Sequence, residues 1–160
     1  MATALRTDAP AERVLELTRR FEAPRALVYA TWTDAARIAR WWGPRGFIVQ
    51  NCHADVRVGG TWRVATRSPE GQEHNAGGVY HEVVRPERLA FTMAWEGSED
   101  GWPGRETLVT LDFAEEGIGT RLTFRQATFS SREARDGHEH GWGSAFEVLA
   151  EYLISERSPT

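Results

Sequence analysis

Five histidines, one cysteine and a scatter of carboxylates are the groups in this chain that could carry chemistry. His53, His74, His81, His138 and His140 contain no pair at the i, i+4 spacing of a zinc-binding helix. His138 and His140 are two apart and diverge by about 200° on a helix. Folding could still assemble Glu73, His74 and His138, and proton transfer would pair His138 with Glu73 or Glu82. These are the candidates for acid–base work; no residue is assigned a catalytic role outright, and no metal or cofactor is expected. Cys52 is the single cysteine, which excludes an internal disulfide and any multi-thiolate metal site. No serine sits in a nucleophile elbow. Gly59-Gly60 lacks the Lys-Ser/Thr of a phosphate loop and joins two strands instead of opening a helix, so it reads as a tight turn or bulge.

Aromatic residues carry the stronger signal. Seven tryptophans are many for 160 residues, and large amphipathic rings point to a dense core or an aromatic-lined cavity. Trp62, Phe91, Met93, Trp95, Phe124, Trp142 and Phe146 are the candidate apolar lining, with His74, Gln126 and His138 as polar anchors. The expected ligand is a small apolar or amphipathic molecule. An enzyme of the cyclase, dehydratase or hydrolase kind acting in the same cavity is the alternative.

The elements that must position these residues can be read from periodicity. Leu15, Leu17 and Phe21 alternate as a strand does, with Arg19 breaking the pattern. Pro24 suits the first position of a helix whose stripe is Leu27, Val28, Thr31 and Trp32. Asp34 can cap a second short helix over residues 35–40. Trp41-Trp42-Gly43-Pro44 then reverses the chain, one ring anchoring the helices and the other closing the cavity or standing exposed. Strands follow over residues 47–56, 61–66, 77–84, 89–95, 106–113 and 120–127, with Gly77-Gly78 marking a bend or close approach in a curved strand. A polar loop spans residues 96–104. Ser130 and Glu133 fit a capping box for a final helix whose apolar stripe is Trp142, Ala145, Phe146, Leu149 and Leu153. Gly137, Gly141 and Gly143 weaken that helix and predict a break near Gly137 or close packing on the sheet. Helices only at the two ends exclude a βαβ repeat.

Composition narrows the partners. Nineteen basic residues against 23 acidic ones give a formal charge of −4, which offers no broad cationic face for nucleic acid. Charges interrupt every window of the first twenty residues, so neither a signal peptide nor a membrane span is expected and the chain reads as cytoplasmic. Residues 1–11 and 157–160 read as tails around one domain over residues 12–156.

Four segments together resemble a known family. They are Trp41-Trp42-Gly43-Pro44-Arg45-Gly46-Phe47; Asp55-Val56-Arg57-Val58-Gly59-Gly60-Thr61-Trp62; Gly77-Gly78-Val79-Tyr80 through Pro86-Glu87-Arg88-Leu89; and His140-Gly141-Trp142-Gly143. In this order they resemble the activator-of-Hsp90-ATPase homologue family, within the START-like or Bet v 1-like superfamily, from about Val14 to Ile154. The resemblance implies an α+β helix-grip fold: a strongly curved seven-stranded antiparallel sheet around a long C-terminal helix, two short helices between the first two strands, and a cavity between sheet and helix. It also implies an alternative to a ligand binder, a chaperone-interacting domain like the C-terminal part of the eukaryotic co-chaperone; a homodimer is a further partner expectation, apart from the resemblance.

Overall fold

Alternating burial sets the strands of the computed structural model, which describes residues 11–96 and 106–157. A short 3-10 turn at Ala11–Arg13 leads into β1 (Leu15–Phe21). Helices α1 (Arg25–Thr33) and α2 (Ala35–Ile38) follow, then β2 (Ile48–Ala54), β3 (Thr61–Arg67), β4 (Glu73–Val84), β5 (Arg88–Trp95), β6 (Thr107–Glu116), β7 (Gly119–Ala127) and α3 (Arg132–Arg157). Pro24 is the cap of α1 rather than its first residue, because its ψ of 151° is still extended. The Asp34 side chain accepts a hydrogen bond from the Ala36 N–H at 3.2 Å, and α2 stops at Ile38, short of the expected Arg40.

All seven strands pair antiparallel in the order β1-β7-β6-β5-β4-β3-β2. On β7, Leu122, Phe124 and Gln126 point inward while Arg121 and Thr123 are exposed, giving one covered and one wet face. The strongly curved sheet expected from the sequence is corrected here. The ladder is open, β1 and β2 are its unpaired edges, and the sheet does not curl round α3. Curvature is not needed to cover the inner face, because α1, α2 and the Trp41-Trp42 turn fill the layer beside the long helix. Trp32 and Trp41 lie 4.6 Å apart, and Trp32 also stacks on Trp142 of α3 at 5.9 Å.

Two further expectations are corrected. Helix α3 is continuous through Gly137, Gly141 and Gly143. A Cβ added at Gly137 or Gly143 would meet nothing within 4 Å, so close packing does not explain these glycines. The cap of α3 is Ser131, whose hydroxyl accepts from the Ala134 N–H at 3.1 Å, one residue later than the Ser130 box. Gly78, by contrast, is a close approach of backbones. A Cβ there would lie 1.8 Å from the Thr92 carbonyl oxygen. The polar loop expected over residues 96–104 lies, except for Glu96, outside the described residues.

Candidate functional site

The inner face divides at one pair of rings. Trp42 and Trp142 meet nearly perpendicular at 5.3 Å. On one side of them Trp32, Phe124 and Phe146 interlock with centroid distances of 5.6–6.5 Å. A gap near these rings, beside Trp62, Tyr80 and Phe91, has a volume of only ≈10 Å³. That is at the limit for a single water. On the other side lies a cavity of ≈410 Å³, partly open to solvent.

Three parts of the fold build its walls. The chain reversal after α2 supplies Trp42, Gly43, Pro44 and Phe47. Gly43 has a φ of +96°, which glycine adopts without strain. The Arg45 N–H donates to Ser144 Oγ at 2.8 Å and its guanidinium pairs with Glu151 at 2.7 Å, fastening this reversal to α3. The adjoining ends of β3, β4 and β5 supply Thr66, Glu73, His74, Asn75, Met93, Trp95 and Glu96. Helix α3 supplies Gly137, His138, Gly141, Trp142 and Ala145 on successive turns of one face.

His74, Met93, Trp95, His138 and Trp142, five of the residues singled out by sequence, are thus brought together. Trp62, Phe91, Phe124, Gln126 and Phe146 are buried in the filled half and do not line the cavity. Trp41 and Trp42 are both buried: Trp41 donates its indole N–H to the Thr31 carbonyl at 2.8 Å, and Trp42 forms cavity wall. Phe47, Thr66, Asn75, Gly137, Gly141 and Ala145 escaped sequence reading as cavity wall. Only the i, i+4 register of Gly137 and Gly141, flanking His138 on its own helix face, could have flagged any of them.

The polar groups are mostly committed. Trp142 donates to Gln126 Oε1 at 2.8 Å, Gln126 Nε2 donates to Thr107 Oγ1 at 2.8 Å, and Thr107 donates to the Met93 carbonyl at 3.2 Å. This chain of bonds ties α3, β7, β6 and β5 together behind the cavity wall, so Gln126 positions Trp142 and Met93 rather than facing the space. His138 is engaged at both nitrogens. Nδ1 lies 2.7 Å from the Ala134 carbonyl and so carries the proton, while Nε2 accepts from the Trp95 indole N–H at 2.9 Å. Burial lowers its pKa from the ordinary 6.5, the Ala134 hydrogen bond opposing in part. A neutral ring with no lone pair left is poorly suited to take a proton from a ligand.

Of the acidic candidates, Glu73 shares the cavity wall with His74 and His138, whereas Glu82 does not line it, and each is paired with an arginine. Glu82, near the far end of β4, pairs with Arg88 at the start of β5, and Glu73 lies 3.8 Å from Arg67. Glu96 forms a two-pronged pair with Arg63, at 2.6 and 3.0 Å, which lowers its pKa. Burial, and secondarily the Asp34 carboxylate, pushes the Cys52 thiol up to about 11, leaving it protonated and unreactive at neutral pH. Among the described residues, no three His, Cys, Asp or Glu side chains are grouped to hold a metal ion, and no helix is long and apolar enough to cross a membrane.

Known proteins match this arrangement closely in fold. A protein from Chromobacterium violaceum superposes with a TM-score of 0.80 at 28% identity, over 88% of this chain and 96% of that one. The AHSA1 protein of Silicibacter pomeroyi gives 0.79 at 29%, over 89% and 99%. One from Nitrosomonas europaea gives 0.77 at 25%, over 92% and 98%. No curated protein matches. The family model described as "Activator of Hsp90 ATPase homolog 1-like protein" matches residues 22–154, most of the chain. The chain therefore belongs to the activator of Hsp90 ATPase homolog 1-like family, within the START-like superfamily.

Proposed function

We propose that the protein binds a small apolar or amphipathic molecule in the space between α3 and the ends of β3–β5. The observation that carries this reading is a cavity of ≈410 Å³ lined by Trp42, Phe47, Trp95 and Trp142, beside a ring cluster whose neighbouring gap is only ≈10 Å³. Its size falls within the ~300–1,000 Å³ usual for small-molecule sites. Covering a ligand face of about 200 Å² yields a gross ~5 kcal/mol at ~25 cal/mol per Å², before ordering costs. A polar contact is needed to reach micromolar affinity. Catalysis in the cavity is the weaker reading, because the ring best placed for proton transfer has both nitrogens occupied.

Native mass spectrometry of freshly purified protein, followed by denaturing analysis, is the direct test. A co-eluting small molecule is expected from the unaltered chain and not from Gly137→Leu. At that position a Cβ meets nothing within 4 Å, so the larger side chain projects into free space without displacing wall. A protein that carries nothing and takes up no apolar probe refutes the proposal.

The family description favours one second reading, a protein-interaction role related to that of an Hsp90 co-chaperone. It predicts co-purification with a chaperone at tens of micromolar and indifference to Gly137→Leu. Loss of small-molecule uptake in that variant with no chaperone captured decides against it.

A further inference from the structure

All 19 basic residues of this chain are arginine; there is no lysine. Among the described residues, none of these arginines lines the cavity. Arg45 and Arg67, each adjacent in sequence to a wall residue, pair with Glu151 and Glu73, and Arg63 pairs with Glu96. The carboxylates in the wall, Glu73 and Glu96, are those same partners, so among the described residues every charged side chain of the wall is already paired. His138 is closed at both nitrogens. The Thr66 hydroxyl is spent on the His74 carbonyl at 2.6 Å. Two groups remain: the Asn75 amide, whose Oδ1 is buried without a hydrogen-bond partner among the described residues, and the imidazole of His74, half-buried, with Phe47 packed beside it at 5.5 Å and no hydrogen bond to its ring nitrogens among the described residues.

Taking the ligand-binding reading above as its basis, we infer that the cavity selects uncharged amphipathic molecules whose polar group bonds to His74, and turns away carboxylates and phosphates. An ionised head group entering this wall loses its hydration and finds no unpaired cation among the described residues to replace it, whereas a hydroxyl needs one imidazole. The space holds roughly 14 water-sized volumes at ~30 Å³ each, which suits a single medium-length chain or a compact ring system.

Isothermal titration calorimetry on the full chain at pH 8 compares decan-1-ol with sodium decanoate. Decanol is expected to bind at least tenfold more tightly than decanoate. His74→Phe is expected to weaken decanol roughly three- to tenfold, the worth of one neutral hydrogen bond, and to leave the circular dichroism spectrum unchanged. Decanoate binding as tightly as decanol overturns the selectivity while leaving a ligand-binding cavity in place, as does a decanol affinity indifferent to His74→Phe. If neither probe binds, the cavity reading falls and this inference falls with it.

Discussion

Both nitrogens of His138 are occupied by neutral partners in a buried setting, and that arrangement has a pH consequence. In the unfolded chain the ring titrates near its ordinary 6.5, while in the folded protein desolvation depresses its pKa. Above about pH 7 the ring is neutral in both states and its contribution to stability is complete. As pH falls through 6.5 the unfolded chain takes up the proton first, so stability declines until the folded ring protonates too. Urea unfolding at pH 7.5 and pH 5.5 should show a larger loss for the unaltered protein than for His138→Gln, since other titrating groups are common to both. Equal losses would show that the ring is not held neutral. Gln126 makes a different prediction. Gln126→Leu strands the Trp142 N–H and removes the amide N–H that donates to Thr107 Oγ1, both in buried surroundings. A loss of about 1–3 kcal/mol or more in chemical unfolding is expected. A lost ligand affinity with unchanged stability would instead mean that the amide faces the cavity.

At the scale of elements, the same helix is both the wall of the cavity and the least locally favoured helix of the fold. Gly137 sits mid-helix with open space where a Cβ would be, so Gly137→Ala should raise stability by up to ~1 kcal/mol, read as a higher urea midpoint at constant slope. Gly78→Ala should do the reverse by several kcal/mol, because its Cβ would collide with the Thr92 carbonyl of the neighbouring strand. The contrast explains what could be read from sequence. Period-two alternation such as Leu122-Phe124-Gln126 places β7 without further help, and the Trp142-Ala145-Phe146-Leu149-Leu153 stripe places α3. The two glycine types look identical in a sequence, because whether a glycine avoids a clash or leaves a gap depends on what the fold brings opposite it. The cavity has the same limit. Trp62, Phe91 and Phe124 are rings of the same kind as Trp95 and Trp142. Which of them border space is decided by where the Trp42–Trp142 contact seals the core, a long-range packing result that no local period encodes.

Across the whole molecule, an open sheet with one filled and one hollow half stores part of its binding capacity as unmade contacts. Rings around the empty space lack packing partners on one side, so a molecule that fits adds to the folded state and not to the unfolded one. A ligand at 100 times its dissociation constant stabilises by about 2.7 kcal/mol. In a chain of this size about 1 kcal/mol moves the melting temperature by roughly 2–4 °C, so saturating decanol should raise it by roughly 5–10 °C. Gly137→Leu supplies covalently some of the apolar volume that the ligand would bring. Its own melting temperature should equal or exceed that of the unaltered protein, and its shift with decanol should shrink to near zero. Stabilisation by decanol that persists undiminished in Gly137→Leu would place the binding elsewhere on the molecule, most plainly on the exposed apolar side chains Ile48, Val58 and Ile118. Scanning calorimetry of both proteins with and without the alcohol separates these outcomes.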